Sequence, residues 1–174
     1  MAIFNVPREG RNKVGYMEHL IYNMYLCEKN IYRRGYGILD VTPEYCIASI
    51  NVVRSYFGKI NPVKVNYMEL VIEKNYSKDE IINLAETIGK WFWNSGYQCL
   101  ISVTSTENGY YMAIVINAVS YVNGSLFRDN NNSYLKVLDF LRHQTGFDWT
   151  VGVTKNTFFD INLGAANYQH GVFA

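Results

Sequence analysis

Two β-rich runs flank Glu107-Asn108-Gly109. The first spans residues 97–105 and the second residues 110–119, both dense in aromatic, β-branched and other apolar residues. Asn-Gly between two such runs is the strongest short-range signal for a β-hairpin. Any fold of this chain must therefore hold an antiparallel pair here. Side chains alternate along a strand, so residues two apart share a face.

The elements around the hairpin are predicted from periodicity and caps. Met17, Leu20, Ile21, Met24 and Cys27 recur at helical spacing, which predicts a first helix over 16–28. Residues 33–37, with two arginines and two glycines, read as a loop. Thr42-Pro43-Glu44 combines an N-cap residue, proline at the first helical position and an acid near the positive end of the dipole. That helix runs to about Phe57 and stops at Gly58. Residues 65–73 read as a strand. Ser77 and Glu80 fit a capping box, and behind them Ile81, Leu84, Ile88, Trp91 and Phe92 mark the apolar face of a helix ending near Gly96. A further helix is predicted over 133–144, closed by Gly146, and the tail from Asp148 as one or two edge strands. No repeat, low-complexity tract or linker interrupts the order, so residues 1–174 read as a single domain. Helices and a hairpin in this order predict an α+β fold: an antiparallel sheet with helices packed on it, in two or three layers.

Composition removes several functions. The chain has 174 residues with only three histidines and three cysteines. A site of three or four His/Cys ligands would take most of that supply. Cys27, Cys46 and Cys99 lie far apart and form no zinc spacing, as expected of buried free thiols in a reducing cytoplasm. No apolar run is long enough to span a membrane, and residues 1–13 carry no secretory pattern. The richness in Asn, Ile and Tyr points to an AT-rich coding sequence, as in low-GC bacteria and their mobile elements. Residues 1–64 hold nine Lys/Arg against five acids, net +4, and the remainder seven against ten, net −3. A basic half is compatible with a polyanion footprint. The bases are scattered, however, and a pI of 7.7 is well below the values above about 9 typical of dedicated nucleic-acid domains.

The stretch Ile114-Val115-Ile116-Asn117-Ala118-Val119-Ser120-Tyr121-Val122-Asn123-Gly124-Ser125-Leu126-Phe127 carries a resemblance. In residue type and spacing it is similar to the plasmid-mobilisation relaxases, the HUH rolling-circle endonucleases that nick one DNA strand at a transfer origin. Phe57-Gly58-Lys59 resembles the end of that family's upstream helix. Tyr25-Leu26-Cys27-Glu28-Lys29-Asn30 resembles the segment carrying the nucleophilic tyrosine, with a length difference. The resemblance covers about residues 16–150. It implies a sheet that holds single-stranded DNA, a metal ion that polarises the scissile phosphate, and Tyr25 as nucleophile.

The departures from the family fall on the chemistry. Its paired metal-binding histidines align with Tyr111 and Ala113, which share one strand face. Alanine cannot ligate, and a phenol with a pKa of about 10 is a poor ligand near neutral pH. The histidine of the first strand aligns with Met68, and the turn positions with Thr104, Thr106, Asn108 and Gly109. Glu69 and Glu107 are the only acids close in sequence, at best a weak hard-ion site. His19, His143 and His170 are far apart and read as surface or capping residues.

The expectation is thus a catalytically inactive relaxase-like protein of a bacterial mobile genetic element, cytoplasmic, with no metal or cofactor and with Tyr25 as a vestige. Its expected ligand is single-stranded DNA or RNA. Arg33, Arg34, Arg54 and Lys59 would track the backbone, and Tyr67, Tyr110 and Tyr111 would stack on bases. Strand propensity alone also accounts for these tyrosines. Two alternatives stand beside it. One is a protein-interaction module, such as a counter-defence inhibitor of a host nuclease or of another relaxase. The other is a metal-independent nuclease using Tyr25 with His19 or His143.

Overall fold

A computed structural model describes residues 2–7, 11–60, 62–73 and 75–152. The chain runs β1 (Ala2–Asn5), α1 (Tyr16–Leu26), β2 (Asn30–Tyr36), α2 (Pro43–Tyr56), β3 (Val65–Glu73), α3 (Lys78–Asn94), β4 (Cys99–Thr106), β5 (Gly109–Asn117), α4 (Asn131–Thr145) and β6 (Trp149–Gly152). The caps act as their residue types predict. Thr42 accepts from the Tyr45 amide at the start of α2. Ser77 and Glu80 close a reciprocal capping box on α3, at 3.2 and 2.7 Å. Each such cap contributes about 1 kcal/mol.

The six strands form one sheet in the order β2-β4-β5-β3-β1-β6. All neighbours are antiparallel except β1 and β6, which run parallel. The hairpin turns on Glu107 and Asn108, and β3 pairs along the whole of β5, Val65 opposite Asn117 and Glu73 opposite Gly109. A Cβ on Gly109 would lie 2.1 Å from the Ile72 carbonyl oxygen, so glycine is required there by the closeness of β3.

Strand alternation separates two cores. Met68, Leu70, Ile101, Met112 and Ile114 pack with Ile81, Ile88 and Phe92 of α3 and Val137 and Leu141 of α4. Tyr67, Leu100, Tyr111, Ala113 and Val115 pack with Leu20, Ile21 and Met24 of α1 and Cys46 and Ile50 of α2. The result is a three-layer α+β sandwich, α1–α2 over one face and α3–α4 over the other. Both faces of the central strands are dry, which is why β3 and β5 read as near-continuous apolar runs. Each fully buried Leu, Ile or Phe contributes about 1.5–3 kcal/mol.

Two strands lie where the sequence does not predict them. Residues 33–37 are not a loop: Arg33 to Tyr36 pair with β4, as the end of β2. β2 is an edge strand with one partner and a register shift between Asn30 and Tyr32, so it tolerates charge and glycine. β1 has only four residues, too few for a periodic signal. The predicted edge strand of the tail is β6; any second one lies outside the described residues, as does His170. No helix among the described residues is long and apolar enough to cross a membrane.

Candidate functional site

The sheet face beneath α1 is where the relaxase resemblance locates its chemistry. Tyr111 and Ala113 share this face, opposite Val71 and Glu69 of β3 and Thr104 and Ser102 of β4. Met68 does not join them. It belongs to the core under α3 and α4, because it is one residue out of phase with Tyr67 and Glu69. The residues that flank the pair are therefore Tyr67 and Glu69.

These three polar side chains form a buried hydrogen-bonded chain. The Tyr111 hydroxyl donates to Glu69 Oε1 at 2.7 Å, and the Tyr67 and Tyr111 hydroxyl oxygens lie 2.5 Å apart. Burial pushes both phenols well above their ordinary pKa, and the neighbouring Glu69 carboxyl adds to the rise. Met17, Leu20, Ile21 and Met24 of α1 close over the face, all buried. Among the described residues, no group of three or more His, Cys, Asp or Glu side chains is gathered to hold a metal ion. Sequence reasoning missed Glu69 as the partner of Tyr111. Their diagonal places on adjacent strands would have shown it once the β3–β5 register was known.

Of the histidines read as surface or capping residues, His19 is placed differently and His143 as read. His19 is buried, with its Nε2 3.0 Å from Asn23 Nδ2, because it lies on the inner side of α1. His143 is exposed on α4, on the other layer. Tyr25 meets neither. Its hydroxyl donates to the Asp40 carbonyl at 2.5 Å and lies 3.0 Å from Cys46 Sγ. Partial burial and the Cys46 contact raise its pKa, the opposite of what an activated nucleophile needs. The Tyr25–His constellation of a metal-independent nuclease is not assembled.

The residues expected to contact nucleic acid are dispersed. Tyr67, Tyr111 and Arg54 are buried and present no surface to a base or phosphate. Arg54 donates to the Val63 carbonyl, and burial lowers its pKa. Arg33 and Arg34 are neighbours in sequence but point to opposite faces, as strand neighbours do. The Arg33 guanidinium stacks 3.7 Å from the centre of the Tyr25 ring, over α1. Arg34 lies 3.8 Å from Glu86 on α3. Tyr110 is half-buried against the α3–α4 core, and Lys59 follows α2. Of these residues only Tyr67 and Tyr111 come together, in the buried chain with Glu69, while Arg33 meets Tyr25.

The stretch that carries the family resemblance has a structural role here. Asn117 Nδ2 donates to Gln98 Oε1 at 2.8 Å and to the Ile50 carbonyl at 3.3 Å, while its Oδ1 accepts from the Val119 amide. Gln98 in turn donates to the Gly37 and Ser49 carbonyls. The two amides fasten α2 to the sheet. Tyr121 stacks on Trp93 at 4.1 Å and donates to its carbonyl. Gly124 lies against the Phe57 ring at the end of α2.

The outer side of α2 is unusual for a surface helix. Such a helix ordinarily turns a charged face to water. Here Tyr45, Ala48, Val52 and Tyr56 form the outward stripe, and Glu44 is the helix's one exposed charge. No protein-family profile, curated protein or solved structure matches this chain.

Proposed function

We propose that this chain is a non-catalytic binding protein on a relaxase-like scaffold, and that its partner is a protein. One observation carries the reading: the sheet face expected to hold metal and DNA is closed by α1, with Tyr111 and Ala113 buried beneath it. A nicking site needs an ion at the scissile phosphate and an accessible nucleophile. The hydrogen-bonded Tyr67–Tyr111–Glu69 chain occupies that position instead.

The choice of protein over single-stranded nucleic acid rests on the cations and aromatics. A single strand is held by a continuous basic track and open aromatic faces. Arg33 and Arg34 diverge, Arg54 is buried, and Lys64 lies 3.8 Å from Glu18. An uncharged apolar helix face is what a protein interface uses. In a bacterial mobile element, acting in the cytoplasm, suitable partners are a host nuclease or another relaxase.

The test is fluorescence anisotropy with labelled single-stranded DNA and RNA at about 50 mM salt, where phosphate contacts are strong. The expected result is no saturable binding, and no nicking with Mg2+ or Mn2+. Saturable binding that Arg33→Glu weakens would return the protein to the nucleic-acid class. Nicking abolished by Tyr25→Phe would overturn the non-catalytic assignment.

A further inference from the structure

We infer that the outer face of α2 is a self-association surface, on which two copies of this chain pair antiparallel about a twofold axis. The inference rests on the reading of the chain as a protein binder and names one partner, a second copy.

The argument begins with exposure. Tyr45 is 54% exposed, Val52 67% and Tyr56 82%, and at the two ends of the helix Val41 is 78% and Ile60 96% exposed. Tyr45, Val52 and Tyr56 follow helical spacing on the side away from the buried Cys46, Ile50 and Arg54, and Val41 and Ile60 lie just beyond the two helix ends. At such fractions, side chains of roughly 100–200 Å² each leave on the order of 600 Å² of apolar surface in water per copy. A symmetric pair would bury roughly twice that, the lower end of a specific interface.

The stripe is also self-complementary. In an antiparallel helix pair about a twofold axis, each residue faces its mirror position about the crossing point. With the crossing point between Ile50 and Asn51, one residue past the middle of Pro43–Tyr56, Tyr45 faces Tyr56 of the second copy and Ser49 faces Val52. Small residues, Ala48 and Ser49, stand beside the axis and let the helices approach closely. The tyrosines meet away from it, where there is room for rings. The charges complement as well: Glu44 near the start of one helix falls within reach of Lys59 past the end of the other. Glu44 is held in place by the Tyr22 hydroxyl at 2.8 Å, which also lowers its pKa and keeps it ionised.

Sedimentation equilibrium of the full chain, over about 1–100 µM, tests the pairing. The expected result is reversible association from 20.1 kDa to twice that mass. Val52→Asp should weaken it by ~100-fold, since two carboxylates would be buried near the axis. Because Val52 faces water in the single copy, the variant's circular dichroism should be unchanged, as should its melting at low concentrations where both proteins are monomeric. Lys59→Glu or Glu44→Lys alone should weaken pairing roughly two- to fivefold, the scale of an exposed ion pair. The double swap should restore it. Wild-type protein that stays monomeric throughout, or a dimer indifferent to Val52→Asp, overturns the inference. A dimer that the double swap fails to restore overturns the antiparallel register. A monomer that ignores oligonucleotides refutes only the pairing, whereas a dimer that binds them saturably refutes the protein-binder reading.

Discussion

Replacing Tyr111 by phenylalanine removes one oxygen from the driest part of the molecule. That oxygen donates to Glu69 Oε1 at 2.7 Å and lies 2.5 Å from the Tyr67 hydroxyl. Both neighbours are buried, and a buried polar group deprived of a partner costs about 1–3 kcal/mol. The phenyl ring itself still fills the space, so no large cavity adds to the loss. Tyr67 and Glu69 also interact with each other, so neither is left without a partner and the net destabilisation should be about 2 kcal/mol. With a urea dependence of about 2 kcal/mol per molar, the unfolding midpoint falls by about 1 M at an unchanged slope. Urea titrations followed by circular dichroism measure this directly. A double-mutant cycle with Tyr67→Phe should give a coupling of about 1 kcal/mol or more, because the hydroxyls share one chain. A loss below about 1 kcal/mol with no coupling would refute the view that this network holds the closed face together.

Three further outcomes are expected. Gly89→Ala should destabilise by about 2 kcal/mol, against the roughly 1 kcal/mol that alanine normally gains in a helix; its Cβ would lie 2.1 Å from the buried Tyr36 ring, and thermal melting reads the sign. Asn117→Ala should cost about 2 kcal/mol in urea titrations, since it removes the donor shared by Gln98 and the Ile50 carbonyl. Tyr25, Tyr36, Tyr67 and Tyr111 all have raised pKa values, chiefly from burial. Folding stability from these phenols is thus fully present below about pH 10, the pKa of an unfolded tyrosine, and declines as the pH rises above it. Ultraviolet titration should find these four phenols ionising only as the chain unfolds; ionisation near pH 10 in the folded protein would contradict their burial.

Much of the fold was legible because local signals agreed with global packing. The capping box at Ser77, the Thr42-Pro43 helix start and the Asn-Gly turn each act through a few adjacent residues. β3 was legible over residues 65–73, its full observed length. β2 was not, because an edge strand need satisfy only one neighbour and can carry arginines and glycine on its open side. The candidate site was half legible. The shared face of Tyr111 and Ala113 follows from strand alternation alone. That α1 would close over them, that Met68 would point away, and that Glu69 would accept from Tyr111 all depend on which strand neighbours which. No local pattern carries that information. The outward stripe of α2 was hidden for another reason: a helix apolar on two sides reads in sequence simply as a helix.

The parallel pairing of β1 with β6 has a consequence for how the molecule is made. Residues 2–5 leave the ribosome long before residues 149–152, which are their outer partner. At 5–20 residues per second, β1 waits roughly 7–30 s for that neighbour. During that interval its outer edge is an open template for any passing strand. Nascent chains caught in this window have an unfinished sheet even after β2 to β5 have come together. A translational pause before residue 149 would lengthen the exposure without changing a single side chain.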